Sequence, residues 1–342
     1  MFDWKTYSGK RPKNMNTLKK IASFSDLHGE SSALRNAISL AKKVADTDIE
    51  ALITGESGTG KELFAEAIHA NSSRRDKPLV VINCGALPDT LLEAELFGYE
   101  KGAFTGAQFR REGQLKYADN GTLVLDEIAD MSPSMQVKVL RAIEQKEFTP
   151  LGRNGSVSSD FRLICATNKD LRKCVEDGTF REDLYYRIRV VQINLPPLRA
   201  RREDIPLLAN HFVDRSSVEY SCEPKKLTSE AMQVLLRYSW PGNIRELENV
   251  IKQMVVVSDG PVISPTDLPE EITHQIETCN PCSDTNEILS KQIERFIKKG
   301  ATKRDLDNLT IRAALRICKG NKTQAAKLLV IGRSTVSRRG RS

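Results

Sequence analysis

The sequence predicts an α/β protein: a parallel sheet core, a helical unit after it, and a small all-α domain at the end of the chain. Three observations predict this. Short apolar runs, Ala51-Leu52-Ile53-Thr54, Leu79-Val80-Val81-Ile82, Thr122-Leu123-Val124-Leu125 and Arg162-Leu163-Ile164-Cys165-Ala166, alternate with helical patterns. Continuous apolar strands separated by helices imply a parallel sheet covered on both faces. A glycine-rich loop, Gly55-Glu56-Ser57-Gly58-Thr59-Gly60-Lys61, stands directly after the first run and before the helix-like Glu62-Leu63-Phe64-Ala65-Glu66-Ala67-Ile68. From about residue 203 the spacing turns helical, with breaks at Pro206, Pro241 and Pro269.

In chain order, residues 1–22 are polar and basic and read as an arm, and residues 23–202 carry the alternating strands and helices. Residues 203–272 form the helical unit, 273–305 a polar linker, and 306–342 a compact helical tail. At 342 residues the chain has room for a sizeable core, and 39% hydrophobic with 28% charged residues is ordinary for a soluble protein. No apolar run approaches the roughly 18 to 20 residues of a spanning helix, and residues 1–20 lack a signal-type stretch, so a cytoplasmic protein with no membrane partner is expected. Cys84 and Cys165 fall inside strand-like runs and the seven cysteines are scattered, which favours reduced thiols. Cys279 and Cys282 have metal-type spacing, but no second pair or nearby histidine completes it, and they read as linker sequence.

Charge is concentrated at one end. Residues 295–342 hold 14 Lys and Arg against Asp305 and Asp307, a net of +12; the whole chain is +7, which leaves −5 for residues 1–294. A one-signed terminal segment favours a polyanion, with nucleic acid ahead of an acidic protein surface or a membrane.

Two motifs carry chemistry. In the loop from Gly55 to Lys61, glycines let backbone N–H groups turn onto phosphate oxygens, the following helix adds its positive end, and Lys61 reaches the β and γ phosphates. Glu62 stands where a Ser or Thr is usual, which removes a hydroxyl from magnesium and leaves Asp126 and water to hold the ion. Asp126-Glu127 ends an apolar run, so Asp126 is the expected metal anchor and Glu127 the residue that orients and deprotonates the attacking water. Between these motifs lies Gly102-Ala103-Phe104-Thr105-Gly106-Ala107. Its glycines give backbone freedom and Phe104 offers roughly 150 to 250 Å² of apolar surface, either to a partner protein or, as the plainer alternative, to the core.

These residues closely resemble the AAA+ activators of sigma-54 RNA polymerase, the bacterial enhancer-binding proteins. The resemblance covers about residues 24–272 and resumes near 307; its motifs lie at 55–62, 98–107, 121–130, 166–168, 180–187, 195–199 and 240–247. It implies an AAA+ P-loop ATPase with a parallel sheet core and helical lid, followed by a Fis-type helix-turn-helix domain. ATP and Mg2+ are the implied ligands, with Gly55, Glu56, Ser57, Gly58, Thr59, Gly60, Lys61, Glu62 and Arg245 on the nucleotide. Asn83 matches a switch asparagine whose amide holds Glu127 away from water, Asn168 matches sensor I, and Arg245 sensor II. Arg181 and Arg187 match arginine fingers that enter a neighbouring subunit's site, which implies a homo-oligomeric ring, most often a hexamer; each could instead pair with Glu182, Asp183 or another surface acid. Gly102, Ala103, Phe104, Thr105, Gly106 and Ala107 match the loop that contacts sigma-54 in the polymerase holoenzyme and remodels the closed promoter complex.

In the tail, Thr323 reads as the cap of a helix expected to begin at Gln324, and 333–339 as the start of a recognition helix. Thr323, Gln324, Arg333, Ser334, Thr335, Ser337 and Arg338 are the candidate contacts to upstream promoter DNA. Val330 stands where the family has a turn glycine, and Gly332 replaces its Ser cap. The expected function is an ATP-hydrolysing transcriptional activator. A DNA-binding regulator whose nucleotide site only controls assembly, and an AAA+ remodeller of another protein, are the alternatives.

Overall fold

The computed structural model describes residues 21–273 and Ile311. Residues 1–20 of the arm, nearly all of the linker and the helix-turn-helix tail lie outside the described residues, and with them Thr323, Gln324, Arg333, Ser334, Thr335, Ser337 and Arg338. Ala22, assigned to the arm by sequence, packs against the core: it is buried and its N–H donates to Glu66 at 3.0 Å.

Five parallel strands form the central sheet: β1 (Ala51–Thr54), β2 (Leu79–Asn83), β3 (Thr122–Asp126), β4 (Arg162–Thr167) and β5 (Val191–Asn194). Their spatial order is β2-β3-β4-β1-β5, and every adjacent pair is parallel. The first four strands lie where the apolar runs predict them. The fifth was not anticipated, because it is an edge strand that buries only Ile193 fully and alternates it with Gln192 and Asn194.

The unbroken apolar runs serve two cores. Leu52, Leu123, Leu125 and Leu163 point to one face, and Ile53, Val124 and Ile164 to the other. A strand buried on both sides has no polar face to display, which is why its sequence does not alternate. Helices α1 (Ser32–Ala45) and α2 (Lys61–Ala70) cover one face through Leu34, Ala41, Phe64 and Ile68. Helices α3 (Asp89–Phe97), α4 (Pro133–Gln145), α5 (Leu171–Glu176) and α6 (Glu182–Ile188) cover the other through Leu92, Leu96, Val139, Ile143 and Leu184.

The strand register lines up one edge of the sheet. Thr54 is level with Thr167 and Asn194, and Asn83 is level with Asp126. Polar residues that would be costly inside the sheet are thereby collected at its carboxyl end, where a ligand crevice forms in open α/β sheets.

The helical unit contains α7 (Ile205–Glu219), α8 (Ser229–Arg237) and α9 (Asn243–Val257). Pro206 does not interrupt a helix but lies in the first turn of α7, where its missing N–H costs nothing. Pro241 sits in the turn between α8 and α9, beside the fully buried Trp240, whose Nε1 donates to Leu235 O at 2.8 Å. Core and lid belong to one compact unit that ends at Ile272.

Asp204, at the entry to α7, ties the lid to the start of α1. It is 1% exposed and accepts from Glu30 N at 2.6 Å, Ser31 N at 2.8 Å and Ser31 Oγ at 2.6 Å. The close approach requires glycine next door, since a Cβ at Gly29 would stand 2.8 Å from the Asp204 carboxylate. Asp204→Ala leaves these donors unpaired and should cost about 3 kcal/mol of stability, read from urea unfolding of the wild type and variant.

Candidate nucleotide site

The phosphate loop is shaped by glycine where the chain must turn left-handed. Gly58 has φ 77 and Gly60 φ 98, and Gly60 is the residue that caps α2. Thr59 is buried and its hydroxyl donates to Glu56 O at 2.8 Å, which closes the turn. Lys61, only 7% exposed, places Nζ 3.0 Å from Gly55 O and 3.3 Å from Glu127 Oε1. Loop and lysine thus face the positive end of α2, a chemistry suited to a polyphosphate.

Asp126 and Glu127 leave β3 in different directions. Glu127 adopts φ 50 and ψ 47, a conformation that costs a non-glycine residue about 1 to 2 kcal/mol. The turn carries its carboxylate to Lys61 and to the backbone N–H of Asn168, 3.0 Å from Oε2. Burial first, and the charge of Glu127 second, push the Asp126 carboxyl above its ordinary range.

Asn83 meets a different partner from the one its family resemblance implies. Its Nδ2 donates to Asp126 Oδ2 at 3.1 Å rather than holding Glu127, and its Oδ1 accepts from Gly85 N at 3.0 Å. The register explains the difference: Asn83 and Asp126 are level on neighbouring strands, whereas Glu127 has already turned away. Asn168 reaches Glu127 through its backbone.

The lid closes on the loop through α9. Arg245 Nη1 lies 3.2 Å from Ser57 Oγ, and the N–H groups of Ile244 and Arg245 both point to Gly58 O, at 3.0 and 3.4 Å. Gly58 must be glycine for this contact, because a Cβ there would stand 2.2 Å from Gly242 O. Two further residues at this junction had no role in the sequence reading. Asn243 donates to Ser57 O at 3.0 Å, and Arg199 clasps the Glu56 carboxylate, with Nη1 2.6 Å from Oε2. The signal for Asn243 was its place after Pro241-Gly242, since asparagine tolerates the left-handed backbone it adopts at φ 54.

Arg181 and Arg187 lie at the surface of α6, outside this cluster of contacts. Arg181 forks onto Asp183, with Nη2 at 2.7 Å from Oδ2, and Arg187 pairs with Glu50 at 2.9 Å. Each engages an acid of its own chain.

The hexapeptide Gly102, Ala103, Phe104, Thr105, Gly106 and Ala107 sits apart, in a loop whose base is a two-stranded antiparallel ladder of Gly98–Tyr99 and Arg111–Glu112. Gly102 N donates to Ala107 O at 2.8 Å, so the tip is a closed turn. Phe104 is 44% exposed and packs edge-on against Tyr99 at 5.0 Å, so it is no core anchor. Phe109, later in the same loop and 78% exposed, is an aromatic surface without a signal in the sequence.

The residues present fit ATP and magnesium. Left-handed glycines, a helix start and a buried lysine suit the phosphates. Among the described residues no cluster of three or more His, Cys, Asp or Glu could cage a metal, yet magnesium needs no cage: one or two carboxylates, water and phosphate oxygens suffice. Asp126 stands where such a carboxylate is needed.

Residues 27–194 match the sigma-54 interaction domain, 199–285 the AAA+ ATPase lid domain, and 304–339 the Fis family of bacterial regulatory proteins. The chain is 39% identical over 327 residues to the DNA-binding transcriptional regulator NtrC of Klebsiella pneumoniae, covering 92% of this chain and 69% of that one. The chain belongs to the family of sigma-54-dependent transcriptional activators. It is 49% identical over 308 residues to the transcriptional regulatory protein ZraR of Salmonella typhi, covering 90% of this chain and 66% of that protein. It therefore spans about two thirds of the length of such relatives. Among solved structures, NtrX from Brucella abortus in complex with ATP superposes with a TM-score of 0.68 at 35% identity, over 92% of this chain and 68% of that one. The sheet order, phosphate loop and lid described above are thus an AAA+ fold of this activator family, and no described helix is long and apolar enough to cross a membrane.

The Asp126 environment makes a stability prediction. Because the folded state favours the protonated acid, the associated stability is present at low pH and is lost as pH rises from the ordinary 3.8 through the raised folded value. Asp126→Asn removes that penalty and should raise the melting temperature at neutral pH, with the gain shrinking on acidification, as read by calorimetry without nucleotide.

Proposed function

We propose that the protein hydrolyses ATP in a ring of like subunits and uses the cycle to remodel the sigma-54 RNA polymerase holoenzyme at a promoter. The observation that carries the reading is the position of Glu127. It is aimed by a left-handed turn at the phosphate-loop lysine and accepts from the Asn168 N–H, which supports its assignment as the base for a water attacking the γ-phosphate. Magnesium, when bound at Asp126, supplies charge to the phosphoryl oxygens. Lys61 neutralises the phosphates, and Arg245 approaches the same loop from the lid.

Arg181 and Arg187 complete the site in trans. Arg181 is exposed and Arg187 partly so, and each is held by a single acid, a pairing that can be exchanged for a neighbour's triphosphate. A guanidinium fork matches charge spread over phosphoryl oxygens, which is why an arginine serves here rather than a lysine. Assembly is then part of catalysis, and a hexamer is the expected ring.

The closed turn carrying Phe104 and Thr105 is the element that presses on sigma-54. Its tip is exposed, aromatic and stands on a two-stranded base, so it offers apolar surface without drawing on the core. The Fis-type segment, with Thr323, Gln324, Arg333, Ser334, Thr335, Ser337 and Arg338, holds upstream DNA and keeps the ring near the promoter; the net +12 of residues 295–342 supports a polyanion there. The cytoplasm is the compartment this reading requires.

Glu127→Gln should lower ATP turnover at least about 100-fold while nucleotide still binds, as measured by steady-state hydrolysis and fluorescent-nucleotide titration. Turnover per subunit should also rise with protein concentration and lose that dependence in Arg187→Ala; specific activity independent of concentration in the wild type would count against a site completed in trans. Thr105→Ala should leave hydrolysis intact and abolish open-complex formation on a sigma-54 promoter. Promoter opening at the normal rate by that variant would remove the hexapeptide from the mechanism.

A further inference from the structure

Glu56 is an odd residue for a loop that cradles a polyanion, because its carboxylate repels phosphate. Its neighbours account for it. Arg199 clasps the carboxylate with both terminal nitrogens, and Asn243 Nδ2 approaches the same group at 3.2 Å from Oε2. The bond from Arg199 first, and the weaker one from Asn243, hold the Glu56 carboxyl below its usual range against the opposing effect of burial. The side chains of Arg199 and Glu56 remain 46% and 41% exposed, so the pair contributes geometry more than stability.

Asn243 is fully buried and joins three segments with one amide. Its Oδ1 accepts Leu198 N at 2.8 Å, from the turn that follows β5. Its Nδ2 faces Glu56, Ser57 O at 3.0 Å and Pro241 O at 3.4 Å. Two residues further on, in the same helical turn, Arg245 extends to Ser57. Asparagine is suited twice over, since it tolerates φ 54 and supplies a donor and an acceptor together. Aspartate would set an acceptor against three acceptors, alanine would be strained, and glycine would keep the backbone while losing the amide.

We propose that Asn243 is a positioning residue for ATP hydrolysis, locking the first turn of α9 to Glu56 and Ser57 so that Arg245 stands over the phosphates. Glu56 with Arg199 is the charged half of the same latch. The proposal rests on the ATPase reading above. It assigns Glu56 to the lid rather than to the nucleotide, and it makes Arg245 effective only while the amide holds.

The test is steady-state hydrolysis by assembled protein, comparing the wild type with Asn243→Gly, Glu56→Gln, Arg245→Ala and the doubles of the first two with the third. We expect kcat to fall about 10- to 100-fold in Asn243→Gly and about 3- to 10-fold in Glu56→Gln, with KM for ATP changed less than about threefold. Each double should be no slower than Arg245→Ala alone, because the latch acts through that arginine. Asn243→Gly turnover within about twofold of the wild type, or losses that multiply in the doubles, would overturn the proposal. If Asn243→Gly does not melt cooperatively, Glu56→Gln and its double decide by the same criteria. Absence of turnover in the wild type would sink the ATPase reading and this inference together, whereas a normal variant beside an active wild type sinks the inference alone.

Discussion

The carbonyl of Gly58 is the point on which core and lid depend. It accepts from the N–H groups of Ile244 and Arg245, the first free amides of α9, and so does for that helix what a capping side chain does elsewhere. Gly242, the residue in the capping position, has no side chain to offer. The lid helix is therefore finished by the phosphate loop, and the loop is held in shape by the helix. Neither can move far without breaking both of these bonds. The shape of the loop and the direction of α9 are thereby tied to each other.

The second constraint is the register of the sheet. Parallel strands with both faces buried leave polar residues only their ends, and at the carboxyl end the pairing sets Thr54, Thr167 and Asn194 level, as it does Asn83 and Asp126 on the neighbouring strands. Site chemistry follows from that alignment. The carboxyl of Asp126 is raised first by burial and second by the charge of Glu127, and Asn83 bonds to Asp126 because strand neighbours at the same level face one another.

Much of this was legible from the residues in order. Strand runs of Val, Ile and Leu announce burial on two sides, and the loop from Gly55 to Lys61 announces its own turns, since only glycine reaches such φ values without strain. The acidic pair could be placed because it ends an apolar run. What escaped was set by distant partners. The strand at Val191–Asn194 owes its existence to pairing with β1 and has little apolar signal of its own. The bond from Asn83 depends on which carboxylate the backbone turns away, and the turn at Glu127 is invisible in a residue type that rarely adopts it. Arg199 meets Glu56 across 143 positions, and Asn243 meets Ser57 across 186, separations over which local patterns carry no information.

The loop that carries Phe104 is anchored at its root by a neighbouring turn. Leu151 N donates to Gly98 O and Leu151 O accepts from Glu100 N, both at 2.9 Å, and Gly152 follows at φ 74. A Cβ at Gly152 would approach the Ala103 methyl to 2.9 Å. Position 152 is therefore closed to a side chain twice over, by its left-handed backbone and by the Ala103 methyl, and any bulk there would push against the root of the loop that carries Phe104.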